Sequence, residues 1–192
     1  MENLFEWFCW YGIKYIYLFL IVLALAALEV QIEGKHGWTK KLPTWRIRSK
    51  IFGFFMGGKD LTGYLFYMLI ILLLFFHLPF VGGSPWSVSA EIEIISLFLL
   101  FSVFWDFLWF VLNPYYGIGR IKPAYIYWHK KWFLGLPTDY PRGILISFVV
   151  SLANYPVGIA KWALAFAVFS IGAVIVIGIN TLVRKGKRYR RF

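Results

Sequence analysis

The chain offers one thiol, Cys9, which excludes an intrachain disulfide and any Cys-rich metal cluster. Acidic residues are scarce: nine Asp and Glu stand against twenty Lys and Arg, for a formal charge of +11. No Asn-x-Ser/Thr sequon occurs, in keeping with a prokaryotic origin. Residues 1–13 hold Glu2 and Glu6 but no Arg or Lys. The basic n-region of a secretory signal peptide is therefore missing, and the first apolar run is expected to stay as a span. The chain has no Walker loop, no Gly-x-Ser-x-Gly, no His-Glu-x-x-His and no Cys-x-x-Cys, so none of the chemistries those motifs carry is signalled. Gly57-Gly58-Lys59-Asp60 shares only composition with a phosphate loop and reads as a turn. No internal repeat and no pair of broken helices marks a common transporter plan.

What the chain has in abundance is apolar surface. Of its 192 residues, 60% are hydrophobic and 22% aromatic, more than a soluble domain of this size can bury. Several unbroken runs approach the roughly 20 residues a helical span needs. Many Trp and Tyr flank those runs, as interfacial belts do. The expected fold is an all-α, polytopic integral membrane helical bundle of four to five transmembrane helices, with residues 1–183 as a single domain and 184–192 as a basic cytoplasmic tail. Span one covers about Trp10–Val30 and span two Leu61–Val81. Span three begins near Glu91 and stops at Asn113-Pro114, because proline cannot continue a helix and restricts the residue before it. The first loop mixes basic and apolar residues, as in Leu42-Pro43-Thr44-Trp45 and Ile51–Met56. It is expected to contain an amphipathic segment lying in the headgroup plane.

Charge placement supplies an orientation. The loops after spans one and three and the C-terminal tail are rich in Lys and Arg, while Gly82–Ala90 carries none. The positive-inside rule puts the three basic segments in the cytoplasm and the N-terminus outside. The expected setting is a prokaryotic inner membrane, with anionic headgroups as partners and no nucleic acid. Both the third loop and the tail lie inside only if residues 140–183 cross twice, through a short helix at about Tyr140–Asn154, a turn, and a second helix at about Trp162–Val183. The first would be roughly 22 Å long. The rival is one helix kinked at Pro156.

Asp106 is the residue that most demands an explanation, because a carboxylate inside a span costs several kcal/mol unless it is paired, protonated or bound to a cation. Ser102, Asn113 and Glu91 fall within about 60° of it on the helix, a stripe that should face protein or water. At the end of span one, spacings of four and three put Glu29, Glu33 and His36 on one face. Glu33-x-x-His36 matches the spacing by which a helix offers a carboxylate and an imidazole to one metal. His129, in Tyr125–Trp132, sorts to the same side. Glu29, Glu33, His36, Asp106 and His129 form the candidate metal set, suited to Zn, Fe or Mn. Asp106, Glu33 and His129 are the catalytic candidates within it. Asp60 and Asp139 read as helix caps. His77, Glu91 and Glu93 sort to the opposite side, where the acids complement a helix N-terminus. His77 and His36 then cannot share a haem.

Three functions fit. The leading one is a membrane-embedded enzyme acting on a lipid or other amphipathic substrate at the cytoplasmic leaflet, through a carboxylate/His site with or without a divalent metal. The second is a non-catalytic subunit or lipid-binding scaffold, in which Asp106 pairs with a partner membrane subunit or a second copy. The third is a small proton- or cation-coupled transporter using Asp106.

Overall fold

A computed structural model describes residues 3–189, with side chains through residue 184. The last three residues of the basic tail lie outside the described residues. Six helices form: α1 (Leu4–Glu33), α2 (Lys50–Phe55), α3 (Gly63–Val81), α4 (Val88–Leu112), α5 (Asp139–Ser151) and α6 (Val157–Tyr189). Two two-residue antiparallel ladders, Arg46–Ile47 with Leu61–Thr62 and Trp132–Phe133 with Leu136–Pro137, pin the long loops. Helices α1, α3, α4 and α6 are each long and apolar enough to cross a membrane. Among the described residues the architecture is that of an all-α helical membrane bundle.

Local sequence explains the helix ends. Asn3, Ser87 and Ser49 cap α1, α4 and α2 by accepting backbone N–H groups at 3.2, 3.1 and 3.2 Å. Thr62, and not Asp60 as the sequence suggested, caps α3 by accepting from the Leu65 N–H at 3.3 Å. Asp60 instead faces Arg48 at 3.8 Å. Helix α4 ends at Leu112, and its cap Asn113 turns extended ahead of Pro114.

Contacts at both ends of the bundle fix the direction of each helix. Lys14 meets Glu93 at 2.7 Å and the Asn113 side chain donates to the Gly34 carbonyl at 2.7 Å, both separations being 79 residues. Helices α1 and α4 are therefore parallel and in constant register. Lys161 meets Glu93 at 2.6 Å and the Asn180 amide donates to the Val111 carbonyl, so α6 is parallel to α4 as well. Helix α5 runs the other way: Tyr140 meets Asp106, Ser147 meets Ser96, and Asn154 meets the carbonyl of Ser89. At about 20 Å it is short for a span, and the 3₁₀ turn Leu152–Asn154 extends it to the far end of α4. The result is five legs that alternate in direction along the chain, α1, α4 and α6 one way and α3 and α5 the other. The Lys- and Arg-rich loops 34–62 and 113–138 and the end of α6 gather at one end, which we call the basic end.

Helix α4 is the axis. Ten of its residues are buried, including Leu100, Phe101 and Leu108 with no exposed surface. It packs against α5, α1, α6 and α3, while leucines, isoleucines and valines such as Ile13, Leu74, Ile171 and Val174 face outward. In a bilayer those side chains meet lipid, so helix association depends on close packing. Gly172 of α6 shows how close: a Cβ there would lie 2.5 Å from the Phe19 ring of α1. Gly172→Val is therefore expected to cost about 1–3 kcal/mol through overpacking and to lower the melting temperature in detergent. Gly178→Val, which meets nothing within 4 Å, should leave it unchanged.

Candidate functional site

At the basic end, three segments converge on Asp106. The first is the turn before α3. Gly57 and Gly58 adopt φ of 62° and 88°, values that only glycine takes without strain. A Cβ on Gly57 would lie 3.2 Å from Asp139 Oδ1, and one on Gly58 would lie 3.2 Å from the stem of Lys130. This turn aims Lys59 inward beneath the Trp38 ring, whose centroid is 4.4 Å from Nζ. The second segment is the loop around His129, just before the Trp132–Phe133 ladder. The Lys130 N–H donates to the Gly57 carbonyl at 3.2 Å, and the Trp132 indole donates to the His129 carbonyl at 2.8 Å. The third is the start of α5, which supplies Asp139 and Tyr140.

The charges interlock. Lys59 Nζ lies 3.0 Å from Asp139 Oδ2 and 3.4 Å from Asp106 Oδ1. The Tyr140 hydroxyl donates to Asp106 Oδ2 at 2.6 Å. His129 Nδ1 lies 3.2 Å from Asp139 Oδ1, and its Nε2 lies 3.6 Å from Asp106 Oδ2. A carboxylate can only accept, so Asp139 fixes the proton on Nδ1 and turns Nε2 toward Asp106. The side chains of Lys59 and His129 are fully shielded and that of Asp139 is 8% exposed, whereas that of Asp106 is 25% exposed. Asp106 is thus the face of the cluster and the other three are its backing. Burial alone would depress Lys59, but the Asp106 and Asp139 carboxylates outweigh it and raise the ammonium above its ordinary value.

Asp106 opens onto a cavity of about 220 Å³ whose wall includes Glu29, Glu33, Ser102, Trp38, Trp105 and Trp109. A smaller recess of about 80 Å³ meets Asp106 from the side of α5. Glu33 accepts the Thr39 N–H at 2.5 Å, and Glu29 has no hydrogen-bond partner among the described residues. Among the described residues, the buried polar atoms without a partner include Trp105 Nε1, Trp109 Nε1 and His129 Nε2.

The structure therefore gathers Asp106 and His129 in one centre and sets Glu29 and Glu33 in the adjoining cavity wall. His36 stands apart, half-buried beyond the end of α1, and desolvation with Lys41, Lys35 and Lys40 holds its imidazole below the ordinary range. Three members of the centre, Lys59, Asp139 and Tyr140, were not among the sequence candidates. Asp139 reads as a cap beside Pro141, yet it makes no cap bond and is buried against Lys59. Lys59 reads as one more loop cation. Its signal was the paired glycine before it, together with the need of an intramembrane acid for a counter-charge. Three of these groups, Asp106, His129 and Asp139, each bring one ligand atom within 4.8 Å of the others. At the opposite end, Glu93 bridges Lys14 and Lys161, and His77 Nε2 lies 3.0 Å from Glu91.

The chain matches no known protein family, no curated protein and no solved structure.

Lys59→Met keeps the stem and removes the charge, leaving two carboxylates facing each other out of water. Breaking a buried pair in this way costs about 3–5 kcal/mol, to be read as a lower unfolding midpoint in detergent. Because the folded-state value of Lys59 is raised, its contribution is complete below the ordinary lysine value of 10.5 and is lost as pH rises through the folded value. The gap between wild type and Lys59→Met should accordingly persist at neutral pH and narrow only in strong alkali.

Proposed function

We propose that the protein is a membrane-embedded enzyme acting by acid–base chemistry on a lipid or other amphipathic substrate at the cytoplasmic leaflet. One observation carries this reading: Asp106 is the partly open member of an otherwise sealed Lys–Asp–His–Asp–Tyr cluster, and it opens onto an apolar cavity. Burying this many ionisable groups in an apolar bundle is costly, and perturbed charged groups beside a cavity are the usual mark of a functional site. In this reading Asp106 exchanges a proton with the substrate. Tyr140 and Lys59 hold its carboxylate in place, His129 and Asp139 form a proton reserve behind it, and Glu33 and Glu29 act on the substrate from the opposite wall. The positive-inside rule sends the basic end to the cytoplasm of a prokaryotic cell, where the surrounding Lys and Arg meet anionic headgroups.

A divalent metal such as Zn, Fe or Mn held by Asp106, His129 and Asp139 is a second reading, favoured by the 4.8 Å spread of their ligand atoms. Lys59 weighs against it, because its ammonium already lies within 3.0–3.4 Å of both carboxylates and a second cation there would be repelled. A path across the bilayer is disfavoured by the fully buried Leu100 and Phe101, which lie between the Glu93 and Asp106 clusters on α4.

The test is twofold. Elemental analysis of the purified protein should find no stoichiometric metal if Lys59 is the resident cation; one equivalent would favour the metal reading. Incubation of the reconstituted protein with a total lipid extract, followed by mass spectrometry, should reveal a lipid converted by wild type. Asp106→Asn should slow that conversion by about 10²-fold or more, the contribution of a positioned acid–base group. Equal lipid profiles for wild type, Asp106→Asn and empty membranes would overturn the enzyme reading.

A further inference from the structure

The cavity in front of Asp106 gathers more carboxyl groups than cations. Glu29, Glu33 and Asp106 all line it, and Asp139 lies directly behind. Lys59 reaches this group, but its ammonium is sealed from the cavity and shared between Asp106 and Asp139. The rest of the lining is largely aromatic, with Trp38, Trp105, Trp109 and Trp128 beside Phe52 and Phe55. Tryptophan faces attract cations through the ring quadrupole, most strongly where water is excluded. Lys59 over Trp38 shows that contact within the same wall. Trp105 and Trp109 are 4% and 3% exposed, and both leave their indole N–H without an acceptor. Such a buried donor is expensive unless a ligand or water completes it. A small hydrated metal ion suits these rings poorly, since it demands oxygen ligands on all sides. An organic cation with an alkyl chain suits them well.

We infer that the cavity between α1, α3 and α4 binds an amphiphile whose head carries a positively charged nitrogen with an oxygen acceptor beside it. The nitrogen lies between Glu29, Glu33 and the tryptophan faces, the oxygen takes an indole N–H, and the chain follows Leu65, Leu69, Phe98 and Leu99 toward lipid. This specifies the substrate class of the site proposed above and rests on that reading. It also runs against the protein as a whole, whose charge of +11 attracts anions at long range. Selectivity for a cation would therefore have to come from the local site.

The experiment is native mass spectrometry of the full chain in a neutral detergent, titrated with hexadecylamine, 2-aminohexadecan-1-ol, hexadecanol and hexadecanoate at neutral pH, where an alkylamine is protonated as lysine is. The amine should bind at roughly tenfold lower concentration than the alcohol, the scale of one desolvated charge–aromatic contact, and the amino alcohol lower still. Glu29→Gln with Glu33→Gln should abolish that preference while leaving alcohol binding intact. Trp109→Phe should remove the added gain of the amino alcohol. Equal binding of amine and alcohol, or preference for hexadecanoate, overturns the inference; should the double variant fail to fold, the comparison on the unaltered chain decides by itself. The two readings fail separately. Amine selectivity with a lipid profile indifferent to Asp106→Asn removes the enzyme and keeps the cation site. Conversion that depends on Asp106 without amine selectivity does the reverse.

Discussion

A carboxylate cannot stand alone in an apolar helix, and the pairing of Asp106 with Lys59 is the constraint around which the basic end is built. The cost of an isolated charge in such surroundings exceeds the strength of most single packing contacts. Among the described residues α1, α3 and α6 offer no cation at that depth, and Arg142 of α5 is engaged with the carbonyl and ring of Phe54. The counter-charge comes from a loop. To carry Lys59 in, the chain needs two residues with left-handed backbone, and Gly57 and Gly58 supply them. To seal it in, it needs a lid, supplied by Trp38 above and by the His129–Trp132 segment alongside. The ladders that look incidental as secondary structure hold these two loops in register with the bundle.

The same constraint explains the unusual shape of α5. A helix of 13 residues is a poor span by itself, yet it brings Asp139 and Tyr140 to Asp106 at one end and Asn154 to Ser89 at the other. Its middle is tied to α4 by a reciprocal pair, in which Ser96 and Ser147 each donate to the other's carbonyl at 2.8 Å. In an apolar medium a side-chain hydrogen bond of this kind contributes about 1 kcal/mol, and the small residues permit close backbone approach. The helix is thus held by polar contacts along its length, where a longer span would rely on hydrophobic extent.

Much of this was legible in the residues. Apolar runs located four helices, Asn113-Pro114 located the end of α4, and the alternation of basic loops called for two elements between residues 140 and 183, where α5 and α6 form separate antiparallel helices. Asp106 and His129 were visible as costly or convergent groups. The partnership of Lys59 and Asp139 was not, because each sits beside a residue that invites a local explanation: Gly-Gly for a turn, Pro141 for a helix start. Periodicity speaks about neighbours along one helix, and these contacts join residues 47 apart in one case and 80 apart in the other. The misplacement of His36 has a related origin. Its spacing from Glu33 is helical, but Gly34 ends α1 with φ of 58°, so the face that unites Glu29 and Glu33 stops before His36 and the imidazole turns away with the loop.

The distribution of charge at the basic end follows two opposite rules at two distances. On the surface, Lys and Arg prevail, as orientation in a membrane requires. A few ångströms inside, carboxyl groups outnumber cations, with Glu29, Glu33, Asp106 and Asp139 around the Lys59 ammonium among the described residues. Structure alone would favour the opposite arrangement, since each added buried acid raises the cost of folding. Stability is therefore a poor account of why the acids are there. Their position along one cavity, with its indole donors left open, is the arrangement expected when part of the counter-charge arrives with a ligand.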